Sequence, residues 1–112
     1  MSEIKILGIE DAQVYENEEL TSRRVLRREH DSPSMSLNVS TLHEGFNDPN
    51  VNYPEHDEIV YMLSGTVKPT FGGSTKTVIA GKAIYVPRGE TYGYEVTEGP
   101  NEAIAVFSPA KY

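Results

Sequence analysis

Apolar and polar residues alternate in short runs along this chain, and no run has the spacing of a long amphipathic helix. Segments near 22–29, 35–43, 58–63, 66–71, 75–79, 83–86, 91–96 and 102–107 read as strands. Between them fall Asp31-Ser32-Pro33, Glu44-Gly45, Asp48-Pro49-Asn50, Gly72-Gly73, Gly81, Pro87-Arg88-Gly89 and Gly99-Pro100. These residues favour turns for distinct backbone reasons, and strands so punctuated predict an all-β sandwich or barrel. Gly72-Gly73 is the strongest hairpin turn. Ile4, Ile6, Leu7 and Ile9 predict a further short strand covering a sheet edge. At 112 residues the chain is expected to form one domain, 1–112, with its core at about 22–108 and an N-terminal edge segment at 1–20.

In a barrel each strand has an inner and an outer face with period two. If Glu58 points inward, Val60, Met62 and Ser64 do too, as does His56 if the strand begins that early. Tyr92, Tyr94 and Val96 share one face of a later strand. Tyr61 and Tyr85 then face outward, where aromatic side chains suit a homodimer interface. A slip of one residue reverses every one of these assignments.

Glu58 is followed by an apolar run and Gly65. Gly81 is followed by Ala83-Ile84-Tyr85-Val86 and then Pro87-Arg88-Gly89. Over residues 40–108 this order resembles the cupin superfamily, the RmlC-like jelly roll. The resemblance implies an all-β, single-domain cupin β-barrel. Cupins carry two histidines and a glutamate ahead of a glycine, then a histidine after Pro-x-Gly. Here Glu58 and Gly65 are kept, but Asn52 and Pro54 stand at the histidine positions. Tyr92 replaces the later histidine, and Val96 stands where an asparagine is usual. Asp57-Glu58-Ile59, Leu63-Ser64-Gly65, the strand after Ala80-Gly81, and Pro87-x-Gly89 are similar to ethanolamine-utilisation cupins.

Composition narrows the partners. The formal net charge of −7 disfavours nucleic acid and anionic membrane surfaces. With no cysteine there is no disulfide, thiolate metal site or thiol nucleophile. No apolar stretch approaches the roughly 20 residues that span a bilayer. The start lacks a basic region leading into an apolar one, so a cytoplasmic location is expected. Neither a phosphate-binding glycine loop nor G-x-S-x-G occurs.

The candidate chemistry centres on Glu58. His56 and Glu58, two apart on a strand, could begin a Zn, Fe, Mn or Ni site, with a third ligand from His43, Tyr92 or Asn52. The plain alternative is a polar cluster without metal, so the cofactor expectation is none or one divalent ion. The same groups suit acid–base work. A desolvated Glu58 can remove a proton α to a carbonyl, and His43 is the base if Glu58 is held in a hydrogen bond. Tyr92 or Tyr94 would donate to the developing oxyanion. The catalytic candidates are therefore His43, Glu58, Tyr92 and His56, with Tyr94, Met62, Arg27 and Asn52 as substrate contacts. Arg23, Arg24, Arg27 and Arg28 form the one basic cluster, read either as an anion clamp or as charge protecting an edge strand. These readings predict a small-molecule lyase, dehydratase, isomerase or cyclase acting on a keto acid, sugar derivative or polyketide fragment. The alternative is a non-catalytic ligand-binding or assembly cupin that has lost its metal.

Overall fold

The computed structural model describes residues 4–112. Its strands are β1 (Gln13–Glu16), β2 (Leu20–Leu26), β3 (Ser36–Leu42), β4 (Asn47–Val51), β5 (Asp57–Met62) and β6 (Thr66–Phe71). They continue as β7 (Ser74–Thr75), β8 (Val78–Ile79), β9 (Ala83–Val86), β10 (Tyr92–Glu98) and β11 (Asn101–Ser108). One sheet runs β1-β2-β3-β11-β5-β9; the other runs β4-β10-β6-β7, with β8 also on β6. A 3-10 turn at Ile9–Asp11 precedes them. Among the described residues no helix is long and apolar enough to cross a membrane. The all-β architecture expected from the strand pattern, and the cupin jelly roll that the resemblance implies, are the fold observed.

Alternation builds the interior. Glu58, Val60 and Met62 of β5 are buried, while Ile59 and Tyr61 between them are exposed. Tyr92, Tyr94 and Val96 of β10 face them from the second sheet, as expected. Asn101, Ala103, Ala105 and Phe107 form the inner row of β11. Met62, Val67, Val96 and Ala103 fill one end of the sandwich completely. Phe107 sits at the other end, with the Tyr53 ring edge-on at 4.9 Å.

Turn chemistry performs as expected at two positions. Gly72 and Gly73 both take positive φ, 56° and 74°, between the paired residues Phe71 and Ser74. Two such residues match the right-handed twist of the flanking strands. Gly65 has φ of 80°, and a Cβ there would lie 2.7 Å from the Glu98 carbonyl oxygen and 2.8 Å from that of Pro100.

Four expectations change. Residues 4–8 form no strand, and Ile4 and Ile6 are almost fully exposed. The edge strand is β1, whose side chains are all exposed and which pairs with β2 along its backbone. Asp48-Pro49-Asn50 is not a turn but the middle of β4. As an edge strand β4 tolerates proline, which cannot donate to a ladder. The 75–79 segment divides into β7 and β8. The first long strand stops at Leu26, because the Asp31 carboxylate accepts a hydrogen bond from the Arg27 amide and the amides of Asp31 and Ser32 turn back onto the Arg27 carbonyl.

Gly65→Ala combines a left-handed backbone with a backbone clash, so it should cost at least about 2 kcal/mol. Gly45→Ala, with positive φ but open space around it, should cost less. Chemical denaturation compares the two. Equal losses would contradict the close approach at Gly65.

Candidate functional site

A cavity of about 150 Å³ opens between the sheets at the Phe107 end. It exists because its walls carry short side chains. Ser22 of β2, Asn38 and Ser40 of β3, and Ala105 of β11 leave space that larger residues would fill. Glu58 enters from β5, Tyr92 and Tyr94 from β10, and Asp48 from β4. Tyr53, Phe107 and Tyr112 complete the aromatic wall.

The central contact joins the sheets. The Tyr92 hydroxyl donates to Glu58 Oε1 at 2.7 Å, and both residues are about 5 % exposed. Burial pushes the Glu58 carboxyl above the usual glutamate value. The Tyr92 bond, and then the charge of Lys111, pull it part of the way back. Burial, followed by the Glu58 charge, raises the phenols of Tyr53, Tyr92 and Tyr94 above the ordinary tyrosine value. Tyr92 therefore keeps its proton, and Glu58 is the group that titrates. Asn38 supplies a second feature. Its Nδ2 donates to Ser22 Oγ at 3.2 Å, while its buried Oδ1 has no partner among the described residues. That oxygen can receive a hydrogen bond from a ligand hydroxyl or amine.

Of the residues singled out from sequence, Glu58, Tyr92 and Tyr94 come together in the cavity. Tyr94 cannot serve as a free oxyanion donor, because its hydroxyl is committed to Asn101 Oδ1 at 2.5 Å. Met62 is buried behind that pair, with its sulfur 3.3 Å from Asn101 Nδ2, and does not line the cavity. His43 is exposed just beyond β3, where Leu42 takes the inward position. His56 precedes β5 and donates from Nδ1 to the Pro109 carbonyl at 2.8 Å. The strand begins at Asp57, so alternation never carries the imidazole to the Glu58 face. Asn52 is exposed and braces two loops, donating to the Gly89 carbonyl at 3.0 Å and Thr91 Oγ1 at 2.7 Å. Arg27 faces a separate basic cleft.

Sequence reasoning missed Asn38, Ser22, Ser40, Tyr53 and Tyr112. A signal existed in β3, where Ser36, Asn38 and Ser40 alternate with Leu37 and Val39. A hydropathy rule sends the apolar row inward, yet Ser36 and Asn38 are the buried ones. A polar inner row is how a barrel lines a cavity rather than a packed core.

The family model described as "Cupin domain" matches residues 38–107. No curated protein sequence matches the chain. Solved structures share its fold. KdgF from Halomonas sp. superposes with a TM-score of 0.82 at 17% identity, covering 96% of each chain. Ectoine synthase from P. lautus gives 0.85 at 21% identity, covering 96% of this chain and 80% of that one. The polyketide cyclase RemF from Streptomyces resistomycificus gives 0.76 at 22% identity, with the same two coverages.

Proteins of this fold often bind a divalent metal. Such an ion needs three or more imidazole, thiolate or carboxylate ligands. Among the described residues no three such side chains converge. The cavity offers Glu58 and Asp48 with hydroxyls and an amide, and no imidazole. The residues present do not fit the group, and the expected His56–Glu58 pair is not formed.

A raised carboxyl pKa makes the protonated form the one that favours folding. The stability Glu58 contributes is present below the unfolded glutamate pKa and is lost as pH rises through the folded value. Glu58→Gln cannot titrate. As pH rises from about 4, the unfolded glutamate value, its stability relative to the parent should therefore improve until the folded carboxyl has titrated. Denaturation midpoints against pH measure this, and a pH-independent difference would show that Glu58 is not desolvated.

Proposed function

The chain belongs to the cupin domain family, and from that premise we propose that it is an acid–base enzyme acting on a small oxygenated molecule. The reaction class is a lyase or dehydratase, with isomerisation or cyclisation as variants of the same proton transfer. The observation that carries this reading is the 2.7 Å bond from Tyr92 to the buried Glu58. A carboxyl with its pKa raised towards neutrality is matched to taking and returning a proton near physiological pH. Tyr92 orients it, as a phenol that keeps its own proton can.

In a dehydration, Glu58 accepts the proton from the carbon α to a carbonyl. The carbon–oxygen bond at the β position then breaks, and the protonated carboxyl gives that proton to the departing hydroxyl. Water leaves, Glu58 is again a carboxylate, and no oxidant or reductant is needed. In an isomerisation the proton returns to a different atom. Asn38 Oδ1 would hold a substrate hydroxyl, and the Ser22 and Ser40 hydroxyls would meet the enolate oxygen. A cavity of 150 Å³ equals about five waters at ~30 Å³ each. The reacting part of the substrate is therefore only a few atoms long, and the remainder lies at the mouth.

The names of two structural relatives, a synthase and a cyclase, describe those proteins; at their low identity they support the scaffold and not the reaction. The second reading is a ligand-binding cupin without turnover. It is favoured by the placement of both candidate imidazoles, His43 and His56, outside the cavity. We also propose a homodimer through the outward row of Ile59, Tyr61 and Tyr85, which are 43%, 45% and 63% exposed.

The test is a panel of small keto acids, hydroxy acids and sugar acids followed by proton NMR in deuterated water. Exchange at the α carbon or loss of water should be accelerated by the parent and reduced at least ~100-fold in Glu58→Gln. His43→Ala should leave the rate unchanged. Turnover by Glu58→Gln at the parental rate would remove Glu58 as the base. A compound that binds in the cavity without exchange or elimination would favour the second reading.

A further inference from the structure

The basic cluster is not used by the acid–base site, and the fold gives it a place of its own. A cleft of about 280 Å³ is lined by Arg24, Arg27, Arg28 and Lys111, with Tyr112, Gln13, His30 and one acid, the exposed Glu29, completing its wall. These are four of the ten lysines and arginines in a chain of net charge −7. Yet among the described residues no carboxylate lies within ion-pair distance of Arg24, Arg27 or Lys111. Arg28 meets only the exposed Glu29, at 3.6 Å. Asp31, four residues beyond Arg27, is already engaged by the Arg27 amide, Lys5 and His30. The Nε atoms of Arg24 and Arg27 are buried without an acceptor.

What holds these cations is aromatic. The Arg24 guanidinium lies 4.0 Å from the Tyr112 ring centroid, and Lys111 Nζ lies 4.1 Å from the same centroid. Arg24 is also 5.3 Å from the Tyr15 ring. A ring attracts a cation but does not neutralise it, so two like charges share one ring with neither paired to a carboxylate. Concave walls concentrate the resulting positive potential. Guanidinium forks are matched to the paired oxygens of a carboxylate or phosphate. The cleft is a single small concavity on an acidic protein, which suits a compact anion and repels an extended polyanion.

We propose that this cleft is an oxyanion-binding site for the phosphate or carboxylate of a small molecule. It shares the Tyr112 wall with the Glu58 cavity but does not depend on chemistry there.

Isothermal titration at low salt with inorganic phosphate, and separately with malonate, tests the site. At least one probe should bind saturably at one per chain and weaken as sodium chloride is added. The tighter probe shows which oxyanion the site prefers. Arg27→Gln should weaken binding at least about tenfold. Arg28→Gln, on a half-exposed side chain, serves if Arg27→Gln does not fold. Arg88→Gln alters a cation paired with Asp57 outside the cleft and should bind as the parent does. Glu58→Gln removes a negative charge that acts on Lys111 and should leave binding undiminished, which separates this site from the acid–base reading. Absence of saturable binding by both probes, or equal weakening in Arg88→Gln, overturns the proposal.

Discussion

One hydrogen bond, from Tyr92 to Glu58, governs how this sandwich is organised at its open end. The donor belongs to β10 in one sheet and the acceptor to β5 in the other, so the bond fastens the sheets beside the cavity. Removing the donor would leave a buried carboxyl without a partner, a loss of about 1–3 kcal/mol. The register of β5 delivers Glu58 to this position. Glu58 is paired with Phe107 on one side and Val86 on the other. A slip by one residue would place Ile59 in the cavity and the carboxyl in solvent.

The closed end shows the same side chain in a different role. Tyr94, two residues on, donates to Asn101, whose amide in turn bonds the Ser64 carbonyl at 2.9 Å and touches the Met62 sulfur. Asn101 is fully buried, and the network is closed and neutral. It specifies packing and carries no titratable acceptor. At the open end the acceptor is an acid facing an unfilled space. The difference between a structural and a chemical tyrosine here lies in the partner, not in the strand position.

Much of this was legible in the sequence. The inward row of Glu58, Val60 and Met62, and the matching Tyr92, Tyr94 and Val96, followed from period two and Glu58 as an anchor. The Gly72-Gly73 hairpin followed from backbone freedom. What was hidden has physical causes. β1 pairs by its backbone and buries none of its side chains, which leaves no hydropathy signal. β3 turns a polar row inward because it borders a cavity, so the usual rule assigns it backwards. His56 failed as a partner of Glu58 because the strand starts one residue after it. Tyr53 and Tyr112 reach the cavity from outside any strand, where sequence spacing gives no direction.

The account stands or falls on the protonation of Glu58 in its site. Carbon-13 NMR of the side-chain carboxyls, with Glu58 assigned through Glu58→Gln, measures its titration directly in the parent and in Tyr92→Phe. The account predicts a midpoint above the ordinary glutamate value in the parent and higher still without the tyrosine, since the phenol stabilises the charged form. An ordinary glutamate midpoint in both proteins would contradict it.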